Sequence, residues 1–554
     1  VTAGAVGANL GGVALFALPG LALAELFAPL ARLPLRHRIA YAYLLGVVAV
    51  AGALFVASHR FGVPLRRPAI AAAVLAPVAL GLAARIARRR HERKRGLERP
   101  APRPRSAPPG HRWRPWRLAA TLTIVVVCLG TLASALSLPL GDWDGRLTWS
   151  AHAAYMRHEG TVDTRVLQDA HWFAVNPRYP PLLPLAQVTV QETFGAGEDE
   201  QFFRALYVGF LASVLMVIHD GARRAAGTAA AALATLCAAL IPFLSHGAAG
   251  ATSAYSDLPL AAFYGAALLL LLMAPRSPAS GLAAGLLLAG MVWTKSEGQL
   301  LAIVALLLGA VRLLASVRLL ASRSRLSPPR GRAISWRLLG WFAAAALPAL
   351  AAVALLASWR AGIPDRFTSD YFGGLRLSAL LQGAAARLPE IVSGVLRQTL
   401  RWPDWLGFWV VFPVVLLAGR RALARRLAGS LLLAGLAPAA IVWAAYAVAT
   451  IGLGELIPET WSRFLLQGLV PLTVVFACAL GDVLRQLRPP ADRISSAAAV
   501  APGAAAAAAG PGDDDAITAQ PPAPQQRGCE KWRFGRRHRP GSAGRRATLG
   551  FAHS

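Results

Sequence analysis

Long apolar runs alternate with short polar or basic segments along most of the chain, and one extended polar stretch, Leu140 to Pro184, lies between two of them. A bilayer core of about 30 Å takes about 20 apolar residues to cross as a helix, because in lipid only a helix or a closed barrel satisfies its own backbone. Applied along the sequence, that window predicts helices at 8–29, 39–58, 69–86, 118–138, 202–219, 226–244, 257–274, 281–293, 299–317, 338–359, 405–419, 427–449 and 463–482. The expected fold is an all-α polytopic membrane protein, a bundle of about thirteen transmembrane helices of which the eighth is short.

The segments between these helices differ by side. Arg32 to Arg38, Arg85 to Arg117, Arg223 and Arg224, Arg318 to Arg337 and Arg420 to Arg426 share one side when the helices alternate. The positive-inside rule makes that side cytoplasmic. Residues 142–201, 245–256, 294–298, 360–404 and 451–462 then face outward, and only the short loop with Arg60, Arg66 and Arg67 argues against this. In the first large outer loop, 139–201, Leu147, Ala151, Ala154 and Tyr155 recur at helical spacing and predict an amphipathic helix along the interface. The second, 360–404, carries a similar stretch at 380–400, followed by Trp402 and Trp405 as expected interfacial anchors. Residues 1–86 form N-terminal transmembrane helices, 87–117 a Pro-rich basic cytoplasmic linker, 118–482 the main transmembrane domain and 483–554 a basic cytoplasmic tail expected to be disordered.

Composition supports the membrane reading: 56% of residues are hydrophobic and the mean hydropathy is +0.49. The net charge of +30 sits beside predicted spans, which points to topology and anionic lipid headgroups; no recognition motif for nucleic acid accompanies it. Cys128, Cys237, Cys478 and Cys529 form neither a disulfide framework nor a zinc spacing. The first apolar run has no basic leader or small-residue cleavage site and reads as a retained helix. The Ala, Arg and Gly bias suits a bacterial chain, and hence a multi-pass protein of the inner (plasma) membrane.

Candidate chemistry gathers on the outward side. Asp142-Trp143-Asp144 directly follows a predicted helix. Two carboxylates so spaced suit a divalent cation held through oxygen, or a general base beside a group that holds a hydroxyl, or plain solvated surface. Asn176-Pro177-Arg178-Tyr179-Pro180-Pro181-Leu182-Leu183-Pro184 is stiffened by its prolines, either as a rigid re-entry or to hold Arg178 and Tyr179 toward a cavity. His171 is a lone loop histidine, a metal ligand, a donor or neither. Ser256 and Asp257 open a helix, as cap or as site. Lys295 and Glu297 interrupt two apolar runs, each too short for a relaxed span; charges there line a polar cavity or neutralise one another. Arg463 opens the last helix from outside, to meet lipid headgroups or to grip a phosphate.

Trp143-Asp144 with Trp149, Arg178-Tyr179-Pro180-Pro181-Leu182-Leu183-Pro184, Tyr255-Ser256-Asp257-Leu258-Pro259, Thr294-Lys295-Ser296-Glu297-Gly298 and Ser462-Arg463-Phe464-Leu465 together resemble the GT-C glycosyltransferases. The resemblance spans about 118–482 and is to the bacterial branch related to protein mannosyltransferases and lipid A aminoarabinose transferases. It implies a GT-C-like bundle that moves a sugar, with inversion, from a polyprenyl-phosphate donor to an acceptor hydroxyl on the outer face. The acceptor would be a lipid, glycan or protein. Carried over residue by residue, it implies Asp144 as catalytic base with Asp142 the alternative, Lys295 and Arg463 on the donor phosphate, Arg178 and Tyr179 positioning substrate, and Asp257 and Glu297 ordering the cations. Metal use varies across that superfamily, so a divalent cation at Asp142 and Asp144 stays open. The Asp-Glu pair of the eukaryotic protein mannosyltransferases is not found, and no activity is implied for the helices before Leu118. A transporter or flippase of lipid-linked sugars is the competing expectation, since it would share the spans and the phosphate-binding cations.

Overall fold

The computed structural model describes residues 3–94, 115–169, 171, 175–195, 199–322, 328–364, 377–449 and 452–487. Every regular element among them is helical. In chain order these are α1 (Ala3–Ala24), α2 (Ala28–Ala31), α3 (Leu35–Phe61), α4 (Arg67–Lys94), α5 (Pro115–Ser137), α6 (Ala151–Glu159), α7 (Arg165–Gln168), α8 (Leu182–Phe194), α9 (Ala205–Ala226), α10 (Thr228–Ala239) and α11 (Pro242–Ser245). There follow α12 (Asp257–Met273), α13 (Pro278–Thr294), α14 (Glu297–Ser322), α15 (Pro328–Arg360), α16 (Leu377–Thr399), α17 (Trp402–Trp405), α18 (Phe408–Ala418), α19 (Arg426–Val448), α20 (Leu453–Gln467) and α21 (Leu469–Gln486).

Nine of the described helices are long and apolar enough to cross a membrane. That is the helical complement of a polytopic membrane protein. The other four expected windows fall on the shorter apolar helices α10, α12, α13 and α18. Of the two apolar runs flanking Lys295, only α13 is short; α14 carries a span of 22 residues, 297–318.

The centre of the bundle is α12. Its residues 257–272 are all buried, as expected of a helix that is apolar all round. It packs against α9, α13, α14, α20 and α21. Elsewhere small residues let backbones touch: a Cβ on Gly20 would overlap the carbonyl of Ala42, and one on Gly46 that of Phe16, so α1 and α3 meet without intervening side chains. At the start of α3, His37 and the Arg223 and Arg224 side chains converge on the buried Asp220 of α9.

Several boundaries differ from expectation. The window at 463–482 is two helices, because Pro471 has no N–H to give and its ring excludes the carbonyl of Gln467, which ends α20 there. Arg463 therefore lies in the last turns of α20 and does not open the final helix. The expected linker 87–117 is helical at both edges, to Lys94 and from Pro115, and its middle lies outside the described residues. The final helix reaches Gln486, past the expected start of the tail; from residue 488 the tail too lies outside them.

The helix expected at 147–155 is present but turned. Trp149, His152, Ala153 and Met156 are buried, whereas Leu147 is exposed and Ala151, Ala154 and Tyr155 are half-buried. A π-turn over Asp144–Ser150 inserts an extra residue and so rotates the face that a regular 3.6-residue count selects. After α16, Trp402 is exposed, but Trp405 is buried and stacks on Phe243 at 5.3 Å, so it is a packing residue and not an interfacial anchor.

Candidate functional site

Two loops build the floor of the site. Arg204 is buried and donates to the carbonyl of Leu138 at 3.2 Å and to that of Thr252 at 2.6 Å, tying the segment after α5 to the one before α12. The two come so close that a Cβ on Gly145 would overlap the carbonyl oxygen of Ser253. Gly145→Ala should displace the neighbouring Asp144 while leaving the helical circular-dichroism signal unchanged. Its readout is the apparent melting temperature of the purified protein in nanodiscs, expected to fall with a loss of about 1–3 kcal/mol of stability, as overpacking at a tight contact brings. Wild-type stability would show that this backbone contact does not fix the segment that carries Asp144.

Asp144 is the first residue of the π-turn, and its N–H donates to the Tyr255 hydroxyl at 3.0 Å. Its carboxylate meets Arg463 Nη2 at 2.8 Å. From the same guanidinium, Nε donates to Asp257 Oδ2 at 2.9 Å. The ring of Tyr255 lies 4.8 Å beneath that guanidinium, within cation–π range.

Asp257 is the hub. Besides Arg463, it accepts from Lys295 Nζ at 2.8 Å and from Gln467 Nε2 at 2.7 Å, both on Oδ1. Its neighbour Ser256 makes no side-chain cap to the helix, so the ion-pair role displaces the capping one. Lys295 also meets Glu297 Oε1 at 3.1 Å, and its ammonium lies 5.6 Å from the Phe464 ring centroid. Helix ends place the first of these groups, since α12 starts at Asp257 and α13 stops at Thr294 so that Lys295 can turn inward before α14 begins, while Arg463 and Gln467 come from the last turns of α20.

The proline-rich segment reaches the cluster in two ways. Tyr179 stacks on the buried Trp149 with ring centroids 5.2 Å apart. Burial, with Glu297 and Asp144 nearby, pushes its phenol far above the ordinary range and keeps it protonated. The carbonyl of Arg178 accepts from Arg360 Nε at 2.9 Å, and Arg360 Nη2 donates to Ser296 Oγ at 3.0 Å, joining this segment to the break between α13 and α14.

Other candidates fall outside the cluster. Asp142 is half-buried on the Arg204 side, where burial raises its carboxyl pKa and Arg204 partly opposes the rise. His171 is 93% exposed and pairs with Asp169 at 2.8 Å. The Asp142 and Asp144 pair does not fit a divalent cation, because Asp144 faces Arg463 and Asp142 lies toward Arg204. Among the described residues no group of three His, Cys, Asp or Glu side chains is placed to hold a metal.

A second alignment invites comparison with a nucleophilic triad. His59 Nδ1 lies 3.0 Å from Asp163, and Nε2 lies 3.1 Å from Ser358 Oγ. Ser358 sits inside α15 and gives its hydroxyl proton to the Leu355 carbonyl at 2.8 Å, in a helix whose backbone N–H groups are spent. With its hydroxyl proton spent within its own helix, Ser358 joins His59 and Asp163 as a tie between loop and helix ends.

His152 provides a pH-dependent tie between α6 and the segment at Val175. It is fully buried, with Nε2 donating to the Val175 carbonyl at 2.9 Å and Nδ1 without a partner. Burial pulls its pKa down to about 4. The unfolded loop would bind the proton first as pH falls, so stability should drop between about pH 6.5 and 4 and level off below, by about 3 kcal/mol in all. Hydrogen exchange across 151–159, corrected for intrinsic rate, should lose protection over that range; unchanged protection would refute the role.

Sequence reasoning missed Arg204, Gln467 and Arg360, and quoted Tyr255 without a role. An arginine at the mouth of an apolar span was the one available signal for Arg204. Comparison with protein-family models, with curated proteins and with solved structures returns no match.

Proposed function

We propose that the chain is a membrane glycosyltransferase that moves a sugar, with inversion, from a polyprenyl-phosphate donor to an acceptor hydroxyl on the outer face. The observation that carries the reading is the meeting of Asp144, Asp257, Lys295, Glu297 and Arg463, drawn from four separate stretches of sequence, in one partly open cluster. A carboxylate beside two fixed cations suits a displacement in which a hydroxyl attacks and a phosphate leaves.

In this reading the acceptor oxygen attacks the anomeric carbon and its proton passes to Asp144. The bond from that carbon to the phosphate oxygen breaks, and lipid phosphate departs carrying the bonding pair. Lys295 and Arg463 stabilise the charge that grows on that oxygen, and Asp257 fixes both cations beforehand, so little reorganisation is needed during the step. Tyr179, kept protonated, donates to substrate; Glu297, at the rim on Lys295, orders that ammonium.

The test is transfer of radiolabelled sugar from a panel of polyprenyl-phosphate sugars to membrane or envelope acceptors by the full chain in lipid. Donor-dependent transfer supports the reading. No transfer with any donor, together with movement of a lipid-linked sugar across the bilayer, would replace it with the transporter.

A further inference from the structure

Arg463 divides its guanidinium between two carboxylates of unequal standing. Asp257 is fully buried and holds Lys295 and Gln467 as well, whereas the Asp144 side chain is 16% exposed and has Arg463 as its ion-pair partner. We propose that the phosphate of the donor exchanges with the Asp144 carboxylate on the Nη2 edge of Arg463, so that donor binding itself releases the base. The inference rests on the phosphate-binding reading of the same site.

Electrostatics select the group that yields. Two anions on one guanidinium edge repel, so an arriving phosphate has to displace one of them. Withdrawal of Asp257 would take a partner from Lys295, Arg463 and Gln467 at once, while withdrawal of Asp144 takes one from Arg463 alone, which keeps Asp257. The Asp144 backbone stays in place through its bond to the Tyr255 hydroxyl, so the change is confined to side-chain rotation. The Tyr255 ring beneath Arg463 holds the cation still during the exchange.

The consequence is an order of events. While Oδ2 is held on Arg463 Nη2, the Asp144 carboxylate is not free to turn toward an acceptor hydroxyl. Once phosphate occupies that edge, the freed carboxylate does so. The neutral acid formed by the transfer no longer competes for Arg463, and loss of its proton to water, with departure of lipid phosphate, restores the pair. Donor therefore binds before acceptor chemistry begins.

Binding of farnesyl phosphate, a short polyprenyl phosphate, to the full chain in zwitterionic nanodiscs tests the exchange. Asp144→Asn should bind it about tenfold more tightly, because a charged competitor has been removed. Tyr255→Phe keeps the ring, loosens the Asp144 backbone and should shift affinity in the same direction. Unchanged or weaker binding by both variants, with binding still lost in Arg463→Ala, would overturn the exchange and leave the phosphate reading intact. Binding insensitive to both Arg463→Ala and Lys295→Ala would remove the two together.

Discussion

Asp144→Asn should leave the chain folded while cutting sugar transfer by about two to four orders of magnitude, the range that a positioned general base contributes. The amide has the volume of the carboxylate, its oxygen can still accept from Arg463 Nη2, and its backbone N–H keeps the Tyr255 hydroxyl. The ability to take a proton is lost together with the negative charge beside Arg463. Single-turnover transfer with saturating donor, at matched expression, separates this from weakened binding. Full activity would pass the role to Asp142, the other carboxylate of the Asp-Trp-Asp stretch.

Asp257→Asn should act first on the fold. Asp257 is fully buried, Lys295 nearly so, and each of its oxygens already accepts from a cation. An amide turns one oxygen into a donor facing another donor and leaves the two cations with one fewer counter-charge. Breaking a buried pair in this way costs about 3–5 kcal/mol. The apparent melting temperature of the purified protein in nanodiscs should fall accordingly. Glu297→Gln, at the more exposed end of Lys295, should cost under about 1 kcal/mol. Equal losses from the two variants would mean that Asp257 is no hub.

The helical plan was legible because a lipid-facing helix has to write apolar character along its whole length. The window at 39–58 falls inside α3, and that at 427–449 matches α19 to within one residue at either end. Asp144, Asp257, Lys295, Glu297 and Arg463 could be picked out for a related reason: charge next to apolar runs is expensive and needs a partner. What stayed hidden depends on tertiary contact. The buried face of α6 follows from the π-turn before it, which hydropathy does not reveal. Gln467 looks like any polar residue near a helix end until Asp257 is found beside it. Pro471 could have announced the break after Gln467, but an apolar run through the proline masked it.

The sharing of one carboxylate among three donors also shapes how changes in this chain combine. Substitutions at Asp257, Lys295, Arg463 and Gln467 act on a single network, so their effects do not sum. Once Asp257 has been replaced, losing Lys295 breaks one ion pair rather than two and harms less than it does in the intact protein. A route of single changes that rebuilds this centre for a different ligand must therefore cross states worse than either end, which makes the cluster resistant to gradual drift even though its rim at Glu297 and Asp144 is open to it.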